Sequence, residues 1–165
     1  PANTRYKSTH FISEIAKTAG HSQLIAGQVA DLEGEGKSVS KSQLKYIHER
    51  KTSALLTCSV KLGGMAANCT PRQLEALTEF GYNVGLAFQV IDDILDVTQT
   101  SKKLGKTAGK DEAAQKATYP SVVGLDNARK IATKLTTKAY DALKPFKGRA
   151  IALEAMADYL LKRDH

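Results

Sequence analysis

Three aspartates stand close together in the segment FQVIDDILD, which covers residues 88–96. On a helix Asp92 and Asp96 lie one above the other, whereas Asp93 is displaced by about 100° around the axis. The flanking residues are apolar, so three carboxylates here would repel one another and lose hydration unless a cation or basic side chains accompany them. Mg²⁺ binds one or two carboxylates together with waters and substrate phosphates. The motif therefore predicts part of a Mg²⁺–phosphate site, and a solvated acidic face is the alternative.

Two basic segments are candidates for the phosphate side of such a site. HERKT, residues 48–52, places Lys51 and Thr52 in the middle of an expected helix, where a lysine more often reaches out to water. GKTAGKD, residues 105–111, combines Lys106 with glycines that allow the backbone to approach a phosphate closely. It is not a Walker A sequence, because that spacing is absent and no strand is expected before it. Each segment alone is a weak signal.

The elements that must position these residues are expected to be helices throughout. Ala, Leu, Lys and Gln are frequent, there are only four prolines, and no long run alternates apolar and polar residues. The third helix should be about 22 residues long and should carry HERKT. Glycines and capping serines mark the expected ends of the first three helices: Gly20, Gly34/Gly36, Ser40 or Ser42, and Gly63–Gly64.

A long fourth helix should carry the aspartates. Thr70 followed by Pro71 matches an N-cap and a first helical residue, and we expect the helix to continue to about Val97. A polar, glycine-containing loop should follow up to about Tyr119, and long loops in compact domains are often functional. Three further helices are expected after it, with no repeat and no internal domain boundary.

The composition is that of a globular chain. Of 165 residues, 42% are hydrophobic and 25% are charged, and no stretch approaches the roughly 20 apolar residues that a membrane-spanning helix needs. Cys58 and Cys69 have no metal-ligand spacing, which indicates reduced thiols and a cytoplasmic location.

The net charge of +7 is concentrated beyond the aspartates. Residues 97–150 contain 12 Lys or Arg against 4 Asp or Glu. Such a segment suits a polyanion, either nucleic acid or a small diphosphate, although lysines scattered along helices more often form a solvated face. No helix-turn-helix signature or mixture of aromatic and basic residues favours nucleic acid.

The order of the motifs is more specific than any one of them. GQVADLEGEGK, IHERKTSALL, GLAFQVIDDILD, LGKTAGKD and KATYP follow one another in an expected all-helical chain. From about Ile12 to Asp164, the chain resembles the C-terminal half of the trans-isoprenyl diphosphate synthases, the polyprenyl synthetase family. The resemblance implies an all-α fold, the C-terminal part of the isoprenoid synthase helical fold, as a single helical domain over residues 1–165.

The resemblance also implies roles for individual residues. Asp92 would bind Mg²⁺ directly, with Asp93 and Asp96 helping directly or through water. Gln28 and Asp31 would line the cavity, and His48 would pack or form hydrogen bonds. The residues expected to act in catalysis are Asp92, Asp93, Lys51 and Lys106. The residues expected to bind the allylic diphosphate are Lys51, Thr52, Gln89, Lys106 and Lys116.

The implied activity is a Mg²⁺-dependent condensation of an allylic diphosphate with isopentenyl diphosphate to a longer trans-polyprenyl diphosphate. A cytoplasmic homodimer without a membrane span or nucleic-acid partner is expected. The GQxxDLExEGK pattern favours C15 or C20 products. The family's first aspartate motif has no counterpart here, so we expect a C-terminal fragment that is inactive alone, with Asp92, Asp93 and Asp96 facing solvent or an empty half-site.

Three other functions are compatible with parts of the pattern. A class I terpene cyclase shares the helices and a DDxxD motif, but the KT, GKTAGKD and KATYP segments do not belong to such enzymes. A regulatory prenyltransferase-like subunit tends to lose aspartates, whereas DDILD is intact. A nucleic-acid-binding module is supported only by the basic segment.

Overall fold

A computed structural model describes residues 4–104 and 117–162, with the backbone alone for residues 99–104. All regular structure in this part of the chain is helical, which confirms the all-α prediction. The helices are α1 Ser8–Ala19, α2 Leu24–Gly34, α3 Lys41–His48, α4 Ala54–Ala66, α5 Pro71–Leu104, α6 Tyr119–Val123, α7 Leu125–Leu143 and α8 Ile151–Leu161. A π-helical turn, Glu49–Ser53, joins α3 to α4, and a 3₁₀ turn, Lys144–Phe146, follows α7.

The starts of α3 and α5 follow the capping residues of the sequence. The Ser40 Oγ accepts from the Gln43 backbone N–H at 3.3 Å, and the Gln43 side chain accepts from the Ser40 N–H at 2.9 Å. Thr70 and Gln73 make the same reciprocal pair at the start of α5, with distances of 3.3 and 2.8 Å. These bonds satisfy backbone donors that a helix start leaves open. Thr70 is therefore confirmed as a cap, and of the two candidates Ser40 and Ser42 it is Ser40 that caps α3.

The long helix α5 forms the centre of the fold and packs against α4 on one side and α7 on the other. Its buried face carries Phe80, Val84, Ala87 and Val90, all at most 1% exposed. The helix continues to Leu104, so the predicted end at Val97 is wrong. No glycine or proline occurs between Val97 and Gly105, and Gln, Lys and Leu sustain a helix well.

The helix predicted from Ser40 to Gly63 is not a regular α-helix, because the π-helical turn interrupts it at ERKTS. Two glycines let neighbouring backbones approach this turn. A Cβ on Gly27 of α2 would lie 2.4 Å from the Lys51 N, and a Cβ on Gly85 of α5 would lie 2.6 Å from the Ser53 Cα. The turn is thus enclosed between α2 and α5, and π-helical turns often occur at functional sites.

No helix in the described part of the chain is both long enough and apolar enough to cross a membrane.

Candidate active site

The Asp93 carboxylate lies in a buried polar cluster where α3, α5 and α6 meet. Its Oδ1 accepts from the Gln89 Nε2 at 3.2 Å, and its Oδ2 accepts from the Tyr119 backbone N–H at 2.9 Å. The His48 Nε2 lies 3.8 Å from the same Oδ2. We call His48, Gln89, Asp93 and Tyr119 the Asp93 cluster. Asp93 is only 4% exposed, so the prediction that all three aspartates face solvent or an empty half-site is wrong for Asp93.

The physical reason is that the cluster supplies partners for a buried carboxylate, which would otherwise be costly to desolvate. The rings of His48 and Tyr119 pack at a tilt, with centroids 5.3 Å apart. Burial raises the pKa of the Tyr119 phenol; Lys45 opposes this rise, whereas the negative charge of Asp93 adds to it. The tyrosine therefore stays a neutral neighbour of Asp93 at ordinary pH.

Asp92 and Asp96 have surroundings different from those of Asp93. Asp96 is exposed and Asp92 is half-buried, one helical turn before it on α5. Among the residues whose side chains are described, no three His, Cys, Asp or Glu side chains are grouped closely enough to hold a metal ion by themselves. Two carboxylates on one face of a helix nevertheless fit Mg²⁺, which takes its remaining ligands from water and phosphates.

Lys51 and Thr52, called the KT pair, lie beside the part of α5 that precedes the aspartates. The Thr52 Oγ1 donates to the Gln89 Oε1 at 3.2 Å, and Gln89 in turn donates to Asp93. Lys51 points the other way along the π-helical turn and forms an ion pair with Asp31 of α2, where Gln28 is exposed. The structure thus joins the GQVAD, HERKT and FQVIDDILD segments, which are far apart in the sequence.

A second polar group lies on the side of the π-helical turn that faces α5. The Glu49 carboxylate accepts from both Lys45 and the Tyr82 hydroxyl. Burial alone would raise the pKa of Glu49, but the hydrogen bonds from Lys45 and Tyr82 outweigh it and hold that pKa below its usual value. Burial and the bond to Glu49 raise the pKa of Tyr82. These contacts fix the start of the turn that carries Lys51.

The structure brings together some of the predicted site residues and leaves others open. Thr52, Gln89 and Asp93 are linked by hydrogen bonds, whereas Lys51 pairs with Asp31. Lys106 and Lys116 lie outside the described residues. Lys106 and Lys116 therefore stay predictions as phosphate-binding residues.

Sequence reasoning missed Tyr119 and Asp31 as direct partners of predicted site residues. In KATYP the sequence predicted only Lys116 as a site residue. The Tyr119 contact is made by a backbone N–H, which every residue except proline has, so the residue type does not reveal it. Asp31 was expected only to line the cavity. Its pairing with Lys51 depends on the close approach of α2, at Gly27, to the π-helical turn. No local sequence pattern predicts that approach.

Comparison with known proteins points to one family. A family model described as Polyprenyl synthetase matches residues 3–157. The chain is 45% identical over 155 residues to a dimethylallyltranstransferase of Fischerella ambigua, covering 93% of this chain and 45% of that protein. It is 47% identical over 156 residues to a chloroplastic geranylgeranyl pyrophosphate synthase of Capsicum annuum, covering 93% and 42%. The chain thus spans somewhat less than half the length of these relatives.

Solved structures show the same fold. A putative farnesyl-diphosphate synthase from Marinomonas superposes with a TM-score of 0.79 at 32% identity, covering 93% of this chain and 52% of that one. A geranyltransferase from Helicobacter pylori, complexed with magnesium and isoprenyl diphosphate, superposes with a TM-score of 0.72 at 31% identity, covering 98% and 54%. With a family match that spans nearly the whole sequence and an all-α fold shared with isoprenyl diphosphate synthases, the chain belongs to the polyprenyl synthetase family.

Proposed function

We propose that this chain supplies the second aspartate-rich half of a prenyltransferase active site. The reaction is the condensation of an allylic diphosphate with isopentenyl diphosphate to a longer trans-polyprenyl diphosphate. The observation that supports the proposal is the Thr52–Gln89 hydrogen bond, by which the turn that carries Lys51 contacts α5 one helical turn before Asp92 and Asp93. Lys51, which is paired with Asp31, and the aspartates of α5 therefore lie on neighbouring elements, as a metal–diphosphate complex between them would need.

The residues have complementary tasks in this proposal. Asp92 and Asp96 would hold Mg²⁺, which supplies positive charge to the departing diphosphate. Lys51 adds a further positive charge, and the Asp31 carboxylate holds the lysine in place until the diphosphate arrives. No serine or cysteine nucleophile is required, since the leaving diphosphate is stabilised by electrostatics.

Binding of inorganic pyrophosphate with Mg²⁺ tests this proposal directly. Thermal unfolding should shift to higher temperature only when both are present, because a ligand that binds the folded state stabilises it. Asp92→Asn should lose most of the shift, whereas Asp126→Asn, which alters an exposed aspartate of α7, should retain it. An equal shift in the Asp92→Asn variant would contradict the proposed metal role of Asp92.

The condensation itself is expected to need more than these 165 residues, because the matched relatives are about twice as long. We expect no turnover of geranyl diphosphate with isopentenyl diphosphate by this chain alone. Detectable product formation in a sensitive radiochemical assay would contradict that expectation. The preference for C15 or C20 products likewise stays a prediction.

The homodimer expected from the resemblance is part of this proposal. Ile25, Val29 and Leu32 of α2 form a stripe with helical spacing, and each is about half exposed. Ile25 and Val29 also border a cavity of about 950 Å³ between α2 and α3. We place a second copy of the chain on this stripe. Light scattering should show a dimer that Val29→Asp dissociates, whereas a monomeric wild-type chain would contradict the placement.

The cytoplasmic location also stays a prediction. The relative from Capsicum annuum is a chloroplastic protein by name, which leaves the compartment of this chain to be determined by localisation of a tagged protein.

A further inference from the structure

We propose that Asp93 is a positioning residue: it ties α6 to α5 and sets the orientation of Gln89, while the metal is held by Asp92 and Asp96. This inference rests on the proposed function, because it divides the tasks of one aspartate motif. The sequence prediction gave all three carboxylates a part in binding the metal. The structure gives them three different environments, in which Asp93 is buried, Asp92 is half-buried and Asp96 is exposed.

The neighbours of Asp93 are buried as well. His48 and Tyr119 are also only 4% exposed, so the carboxylate has protein on the sides where these residues lie. Mg²⁺ dehydrates reluctantly and keeps several waters in protein sites. A carboxylate that faces the interior is a poorer partner for such an ion than the exposed Asp96 on the same helix.

The hydrogen bonds of Asp93 already perform a structural task. Tyr119 is the first residue of α6, and its backbone N–H belongs to the group of helix-start donors that lack a partner within the helix. The Asp93 Oδ2 accepts from it at 2.9 Å across a sequence separation of 26 residues. The same oxygen faces His48 at the end of α3. One carboxylate oxygen thus hydrogen-bonds α6 to α5 and lies 3.8 Å from the His48 Nε2 at the end of α3.

The other oxygen sets the orientation of Gln89. A carboxylate can only accept hydrogen bonds, so Gln89 must direct its Nε2 towards the Asp93 Oδ1. Its Oε1 is then left to accept from the Thr52 hydroxyl at 3.2 Å. Asp93 therefore determines that the Gln89 oxygen, and not its nitrogen, faces Thr52. The Thr52 hydroxyl consequently donates to Gln89.

Matched asparagine variants separate a positioning role from a metal-binding role. The measurement is the Mg²⁺ concentration that gives half of the thermal shift at a fixed pyrophosphate concentration. Asp92→Asn should raise this concentration by about tenfold or more, as expected for weakened metal binding. Asp93→Asn should leave it within about twofold, since the Asn oxygen still accepts from the Tyr119 N–H. An increase for Asp93→Asn as large as that for Asp92→Asn would overturn the proposal.

Hydrogen exchange of the Tyr119 amide gives an independent readout. In the chain without ligand, Asp93→Ala should accelerate this exchange by about tenfold, the effect of losing one hydrogen bond, whereas Asp92→Ala should leave it unchanged. At saturating Mg²⁺, Asp93→Ala should also weaken pyrophosphate binding, because Gln89 and Thr52 lose their fixed orientation. Unchanged exchange in Asp93→Ala would overturn the proposal.

The two readouts distinguish this inference from the proposed function. If the wild-type chain shows no Mg²⁺-dependent pyrophosphate binding, the proposed function fails, but the exchange comparison still decides whether Asp93 anchors α6. If Asp93→Ala does not fold, the asparagine pair still decides between positioning and metal binding.

Discussion

Gly85 provides the sharpest test of how the π-helical turn is enclosed. A methyl group placed on Gly85 would lie 2.6 Å from the Ser53 Cα and 2.9 Å from both the Cβ and Oγ of that residue. Ser53 is fully buried and its hydroxyl donates to the Tyr82 carbonyl at 2.9 Å, so it has no open space to move into. Gly85→Ala must therefore push α5 and the turn apart.

Gly63 is the matched control for this substitution. It lies in α4, it is exposed, and an added Cβ would meet no atom within 4 Å. Replacing a helical glycine with alanine stabilises by up to about 1 kcal/mol where the site tolerates it. We therefore expect Gly63→Ala to raise the free energy of unfolding by a few tenths to about 1 kcal/mol.

The difference between the two variants isolates the cost of the close contact, because both gain the same helix propensity. Overpacking in a well-packed core costs about 1–3 kcal/mol. Gly85→Ala should thus be about 1–3 kcal/mol less stable than Gly63→Ala, and its net effect should range from neutral to about 2 kcal/mol destabilising. In a chain of this length, each kcal/mol corresponds to a change in Tm of about 2–4 °C.

Urea unfolding followed by circular dichroism measures both variants against the wild type under the same conditions. The expected order of stability is Gly63→Ala, wild type and then Gly85→Ala. If Gly85→Ala is stabilised as much as Gly63→Ala, the helix α5 does not approach the turn at Ser53, and the packing argument is refuted.

Three further predictions concern the capping, the core and the charges. Thr70→Ala removes the cap of α5 and should lower the free energy of unfolding by about 1 kcal/mol, measured by urea unfolding; no change would show that Thr70 does not stabilise the helix start. Phe80→Ala empties a fully buried site in α5 and should cost about 3–5 kcal/mol, whereas Tyr159→Ala at an 80% exposed position should cost little. Folding lowers the pKa of Glu49. Its contribution to stability is therefore present at a pH above the ordinary glutamate pKa of about 4.5, and it is lost as the pH falls through the lower pKa of the folded state. The stability difference between wild type and Glu49→Gln should therefore shrink on acidification from pH 7, and a constant difference would contradict the role of Lys45 and Tyr82.

The capping residues show why part of the fold is readable from local sequence. Ser40 with Gln43, and Thr70 with Gln73, make contacts three residues apart, so their pattern predicts the helix starts without knowledge of the rest of the chain. The end of α5 lies beyond the predicted Val97, because the polar segment after Val97 contains no glycine or proline before Gly105. The polar composition of a segment predicts a helix end less well than the position of a glycine or proline does.

The sequence alone determined the all-α class and the resemblance to the polyprenyl synthetase family, and it supplied the prediction of Asp92, Lys51, Thr52 and Gln89 as site residues. These depend on residue types at fixed spacings along the chain, which a helix converts into shared faces. The π-helical turn, the Lys51–Asp31 pair and the separate environment of Asp93 were decided only by the tertiary structure. The reason is physical, because each depends on backbones from distant segments approaching closely enough to exclude water and exchange hydrogen bonds.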